Sequence, residues 1–185
     1  ETMVLNPEAT SPTQLEMFAF LGKLFGVAIR SKGYLDISLS PLAWKLIARE
    51  ELVEEDLRDV DELTMRWLDT LRGRQLIDEE VMDVTFTTTD LNGNVVELHL
   101  NGANEYFVRG RDEDRYAREL VAFKLQEMRP MADAIRIGLE TQIPPSALSL
   151  LRWSDLEKMV CGMPTIDVKL LRSCTEYSGC SQGEA

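Results

Sequence analysis

The chain has 185 residues, enough for one domain with a substantial core or for two small subdomains. With 44% hydrophobic and 28% charged residues it has the composition of a globular protein, and no apolar run approaches the roughly 18 residues that a membrane span needs. A net charge of −12 argues against nucleic acid and anionic membrane as partners, because both select a basic face.

The first predicted helix begins after Pro12, with Thr13 and Glu16 at capping-box spacing. Leu15, Phe18, Leu21, Leu24, Phe25, Ala28 and Ile29 follow at helical intervals, a stripe wide enough to predict a nearly buried helix. Gly22 and Gly26 lie one turn apart on one face and would admit another backbone closely. Gly33 is expected to end the segment. Ser40 and Pro41 read as an N-cap followed by proline at the first helical position, opening LAWKLIA. The acidic run EELVEEDLRDVDE is expected to be a solvated connector with a short helix, after which 63–71 forms a helix.

The period then changes to two. VMDVTFTTTD alternates, with Val84 and Phe86 on one face, DLNGNV is a hairpin turn, and VVELHL is the returning strand. NGANE reads as another turn. A helix with Tyr116, Leu120, Phe123 and Leu125 follows Asp112, and a second covers 131–139 and stops before IPP. Ser154 and Glu157 have capping-box spacing before EKMVCG, where Gly162 fits the helix C-terminus, and Asp167 can cap a last short helix. The fold class expected is α+β, mainly α: a larger helical subdomain with a smaller one that carries the β-hairpin.

Chemistry is sparse. The three cysteines, Cys161, Cys174 and Cys180, form no C-x-x-C pair, and their odd number points to a reducing compartment. One histidine, His99, cannot with them make a convincing metal site, and it reads as a half-exposed strand residue. Cys161 sits among apolar neighbours with no base in sequence reach, as a buried structural thiol does. Neighbouring exposed acids such as Glu54 and Glu55 lack the contrasting environments that acid–base catalysis needs. Phosphate-binding loops are absent from the sequence. No catalytic residue, metal or cofactor is therefore assigned.

Four segments in order resemble the N-terminal lobe of HECT-type ubiquitin ligases, in detail the large HERC-type members. They are FAFLGKLFGVAIRSKGYLDISLSPLAWKLI, DVTFTTTDLNGNVVELHLNGAN, the helix pair across 114–139, and LEKMVCGMPTIDVKLLRSCTEYSG. The resemblance implies a larger helical subdomain at about 1–62 and 127–176, a small subdomain at 63–126, and the start of a hinge at 177–185. It implies that the small subdomain docks a ubiquitin-conjugating enzyme. A C-terminal lobe outside this chain would take ubiquitin on its cysteine and pass it to lysines of protein substrates. The chain alone is then expected to be inactive and cytoplasmic, with a nuclear location also open.

Matched to the family's docking groove are Trp67, Leu68 and Leu71 on the helix, Met82 and Val84 on the strand, and Tyr116 and Leu120 on the later helix. Leu71 and Val84 read equally well as core. Tyr116 is expected to be an exposed aromatic. Leu120 and Arg74 depart from the pattern, where aromatics are usual, so a non-catalytic interaction scaffold that keeps the fold is the alternative.

Overall fold

The computed structural model describes residues 2–73, 81–90, 93–98, 107–163, 165 and 167–176. NGANE, Arg74, His99, Cys180 and the hinge at 177–185 lie outside the described residues. The fold is mainly helical α+β, as the sequence pattern predicts. Helix α1 (Pro12–Ser31) is followed by α2 (Pro41–Ala48), α3 (Glu55–Arg58) and α4 (Glu62–Arg72). Strands β1 (Val81–Thr85), β2 (Thr87–Thr89), β3 (Val95–Glu97) and β4 (Phe107–Arg109) come next. The chain then runs through α5 (Glu113–Glu127), α6 (Arg129–Glu140), α7 (Pro145–Leu148), α8 (Trp153–Cys161) and α9 (Val168–Ser173).

Helix α1 is capped two residues earlier than expected. Ser11 is the N-cap and exchanges bonds with Gln14, and Pro12 occupies the first helical position. Proline's fixed φ sets the start, and S-x-x-Q then satisfies the free N–H groups in place of Thr13 and Glu16. At the other end Lys32, not Gly33, takes the left-handed conformation, with φ 56°. Ser40 caps α2 as expected, its hydroxyl accepting from the Ala43 N–H at 3.2 Å. Helix α8 is also capped two residues earlier than expected, at Arg152 in place of Ser154. Asp155 accepts the Arg152 N–H, and Glu50 reaches across from the end of α2 to accept the Trp153 N–H.

The helices pack around α2, which buries Leu42, Ala43, Trp44, Leu46 and Ile47. Such a helix is apolar nearly all round and needs cover on several sides. α6 and α8 supply that cover, and α1 in turn lies on α6 and α8. The α1–α6 contact is unusually close. Gly22 faces the Ile135 carbonyl, and Gly138 faces the Ala19 carbonyl. Phe25 turns inward against Trp44, with ring centroids 5.4 Å apart. The expectation of a nearly buried α1 needs correction, however. Met17, Phe20, Leu24 and Val27 are exposed along its outer face.

The strands form two antiparallel ladders, β1 with β4 and β2 with β3. β2 and β3 are the predicted hairpin, paired Thr87 with Glu97 through Thr89 with Val95. Gly93 supplies the positive φ of 79° that this turn requires. β4 was not legible in the pattern, being three residues long. It meets β1 through an irregularity, since Val81 pairs with Arg109 but Thr85 with Phe107. α5 holds the hairpin: Tyr116 Oη donates to the Thr87 carbonyl and Lys124 Nζ to the Thr89 carbonyl. One buried cluster runs from Phe25 and Trp44 through Leu57, Met65 and Leu68 to Phe86 and Tyr116.

Candidate functional site

α4 carries more apolar residues than one helix face can bury. Met65, Leu68 and Leu71 point into the core at 1%, 0% and 3% exposure. Trp67 stands at the edge of that face, 37% exposed, and Leu63 one turn before it is 79% exposed. Tyr116 of α5 lies behind Trp67, with ring centroids 5.5 Å apart and planes at 64°. Its other side meets Phe86 edge-on, at 5.6 Å and 80°. Edge-to-face contacts of this kind add about 0.5–1.5 kcal/mol each to simple burial. The three rings form a ladder from the surface at α4 to the break between β1 and β2.

Of the residues expected at a groove, the structure brings Trp67, Leu68, Leu71, Tyr116 and Leu120 into the α4–α5 region. Tyr116 and Leu120 are 4% and 5% exposed, so the exposed aromatic expected at position 116 is corrected. Its ring is covered by Trp67 and Phe86, and burial pushes its phenol pKa up. Val84 is half-buried against the core, and Met82 lies within β1. Of the matched residues with described side chains, Trp67 is the one that reaches solvent most. Leu63 was missed. Its signal was the surplus of apolar positions in ELTMRWLDTL, which a stripe at helical spacing could not all absorb.

The acidic run before α4 is more than a solvated connector. Asp56 pairs with Lys45 at 2.6 Å, Asp61 caps α4 by accepting the Thr64 N–H at 3.0 Å, and Glu62 pairs with Arg66 at 2.6 Å. Arg72 grips both oxygens of Glu54, at 2.5 and 3.0 Å, and Arg58 does the same to Asp69, at 3.1 and 3.4 Å. These two forks fasten α3 to α4. The Arg72 hydrogen bond holds the Glu54 carboxyl below its usual range, against an opposing push from burial.

A lowered carboxyl stabilises the fold above the unfolded-state value, and that contribution is lost as pH falls through the lowered one. Glu54→Gln should therefore reduce stability at neutral pH by less than about 1 kcal/mol, given the exposure of the pair. The difference should vanish in acid, where Glu54 itself is protonated. Urea melts of both proteins at the two pH values check this, and an undiminished gap in acid would contradict it.

Nothing in this arrangement activates a nucleophile. Cys161 Sγ donates to the Ile37 carbonyl at 3.3 Å, and burial, then Glu157, push its thiol up. A thiol so placed stays protonated, and protonated sulfur is a poor nucleophile. No cluster of three metal-ligating side chains occurs among the described residues, and no described helix is long and apolar enough to cross a membrane. The α4–α5 region offers an apolar contact surface backed by fixed rings.

The model of the HECT-domain (ubiquitin-transferase) family matches residues 1–185, and the chain belongs to that family. Within it, the chain is similar to E3 ubiquitin-protein ligase HERC2 of Mus musculus and of Homo sapiens. Each is 32% identical over 178 residues, covering 95% of this chain and 4% of the relative. E3 ubiquitin-protein ligase RSP5 of Chaetomium thermophilum is 25% identical over 188 residues, covering 99% of this chain and 23% of the relative. The chain thus spans a small part of the length of these relatives.

Proposed function

We propose that this chain forms the docking face for a ubiquitin-conjugating enzyme within a HECT-type ubiquitin ligase, with 63–126 as the docking subdomain. Ubiquitin passes from the docked enzyme to a catalytic cysteine outside this chain and then to lysines of protein substrates. The observation that carries the reading is the half-exposed Trp67, braced edge-on by Tyr116 at the position matched to the family's groove. Trp67 supplies contact area at little entropic cost because its ring is already held, as in interface anchors generally. Leu68, Leu71, Val84, Tyr116 and Leu120 act from beneath, fixing the ring and the floor, with Met82 on the adjacent strand. Weak docking on a small apolar patch suits a relay in which the discharged enzyme must leave.

One observation favours a second reading, a scaffold domain that keeps the fold without docking. Leu120 replaces the usual aromatic, and four of the matched residues are buried. Titration with a panel of conjugating enzymes separates the two. Trp67→Ala should weaken binding by about thirtyfold, roughly 2 kcal/mol, while Lys158→Ala, at an exposed position of α8, should not. In the same mixtures with activating enzyme, ubiquitin and ATP, no reducible adduct should form on Cys161, Cys174 or Cys180. If no conjugating enzyme binds, or Trp67→Ala binds as Lys158→Ala does, the docking reading fails and the scaffold stands.

A further inference from the structure

Two rings of the ladder cannot set their own planes. The outer torsion of an aromatic side chain is soft, so the plane of Tyr116 or Trp67 is decided by what touches it and not by a rotamer well. Trp67 is half in water and leans on Tyr116. Tyr116 has its hydroxyl on the Thr87 carbonyl at 3.3 Å, a long bond, and its ring edge-on to Phe86. Phe86 differs, because its backbone and its ring are both held. It sits at the bend between β1 and β2, where the two ladders part. The hydroxyls of Thr85 and Thr87 hydrogen-bond across it at 2.8 Å, and its carbonyl accepts the Leu98 N–H at 3.0 Å. Successive side chains of an extended chain point to opposite faces, so two hydroxyls joined on one face turn Phe86 to the other. There it is 4% exposed, with the Arg115 guanidinium 5.8 Å from its ring centroid. Arg115 and Tyr116 are neighbours in α5, which thus holds the ring by a cation and by an edge contact.

We infer that Phe86 is a positioning residue for docking: through Tyr116 it sets the plane in which Trp67 meets the conjugating enzyme. The inference rests on the docking reading of Trp67. A ring that is already set loses less freedom when a partner covers it. Phe86 therefore acts on affinity although it is too buried to meet the partner itself.

Phe86→Leu in the 185-residue chain tests this, because leucine keeps the site apolar and removes the ring edge. Circular dichroism confirms folding. The indole N–H signals of Trp44, Trp67 and Trp153 in heteronuclear NMR, each assigned by substitution, give the first readout. Phe86→Leu should shift and broaden the Trp67 signal, leave that of Trp44 in place, and weaken conjugating-enzyme binding about fivefold. In a Trp67→Ala background the same change should alter affinity by less than about 1.5-fold, since the path to the partner is cut. Val160→Ala, a buried truncation in α8, should lower the melting temperature yet leave the Trp67 signal and the affinity as in the parent. Should Phe86→Leu not fold, Arg115→Gln at an exposed position frees the same ring without opening the core, and should move the Trp67 signal likewise. A Trp67 signal unmoved in the folded variant overturns the inference. So does a Phe86→Leu effect on affinity that is equal in both backgrounds or matched by Val160→Ala. A parent that binds no conjugating enzyme overturns the docking reading and this inference with it, whereas an unmoved Trp67 signal in a parent that docks overturns the inference alone.

Discussion

Gly22→Ala is expected to lower the unfolding temperature by about 6–12 °C, the shift that a loss of roughly 3 kcal/mol produces in a chain of this size. A Cβ at position 22 would lie 1.8 Å from the Ile135 carbonyl oxygen and 2.9 Å from the Leu139 nitrogen. Those are backbone atoms of α6, and they cannot swing aside as a side chain would. The two helices would have to part. Parting them also opens the reciprocal contact, where Gly138 meets the Ala19 carbonyl. It loosens Phe25, Ile135 and Leu139, all fully buried at this junction. Overpacking of a core costs about 1–3 kcal/mol, and a clash with main chain belongs at the top of that range or above. Gly33→Ala is the control, since its new Cβ meets only Ser31 Oγ at 3.2 Å. A Gly22→Ala protein that melts with the Gly33→Ala protein would mean that α1 does not rest on α6 this closely.

The close approach at Gly22 and Gly26 was readable in the sequence, because two glycines one turn apart inside a strong helix pattern cost stability and need a reason. Other readable features share that local character. Ser40 and Pro41 open α2, Asp167 caps α9, Gly162 ends α8, and Gly93 turns the hairpin. What the pattern could not supply was cover. Periodicity reports that Leu24 and Phe25 both belong to a broad apolar stripe. It does not report that Phe25 turns inward against Trp44 of α2 and that Leu24 is left half in water. Tyr116 shows the reverse case. Its position in α5 was legible, but its burial depends on Trp67 and Phe86, brought in from 49 and 30 residues away. β4 was missed for a related reason. Three residues carry little alternation, and its partner β1 lies more than twenty residues upstream. The candidate site inherits this limit: helix and strand membership came from the chain, and the exposed edge came from tertiary contacts.

Arg136→Met should cost about 2–3 kcal/mol, seen as a lower urea midpoint with an unchanged slope. Arg136 is 5% exposed, the one buried charged side chain among the described residues. Its Nη1 donates to the Ile47 carbonyl at 2.8 Å, and its Nε donates to Glu140 Oε1 at 2.8 Å. Ile47 lies in the last turn of α2, where carbonyls have no partner within the helix. The guanidinium therefore completes α2 from α6 and ties the two helices together. Methionine matches arginine's stem but donates nothing. Exchanging a buried ion pair for apolar side chains is often neutral, because two desolvated charges disappear together. Here one of the two acceptors is a main-chain carbonyl, which no substitution removes. Left unpaired in a buried site, it carries about 1–3 kcal/mol of desolvation. Glu140 can turn to solvent, since its side chain is 25% exposed. Adding Glu140→Gln to Arg136→Met should for that reason recover little. A double variant restored to parental stability would place the cost on the carboxylate and would refute the role assigned to the Ile47 carbonyl.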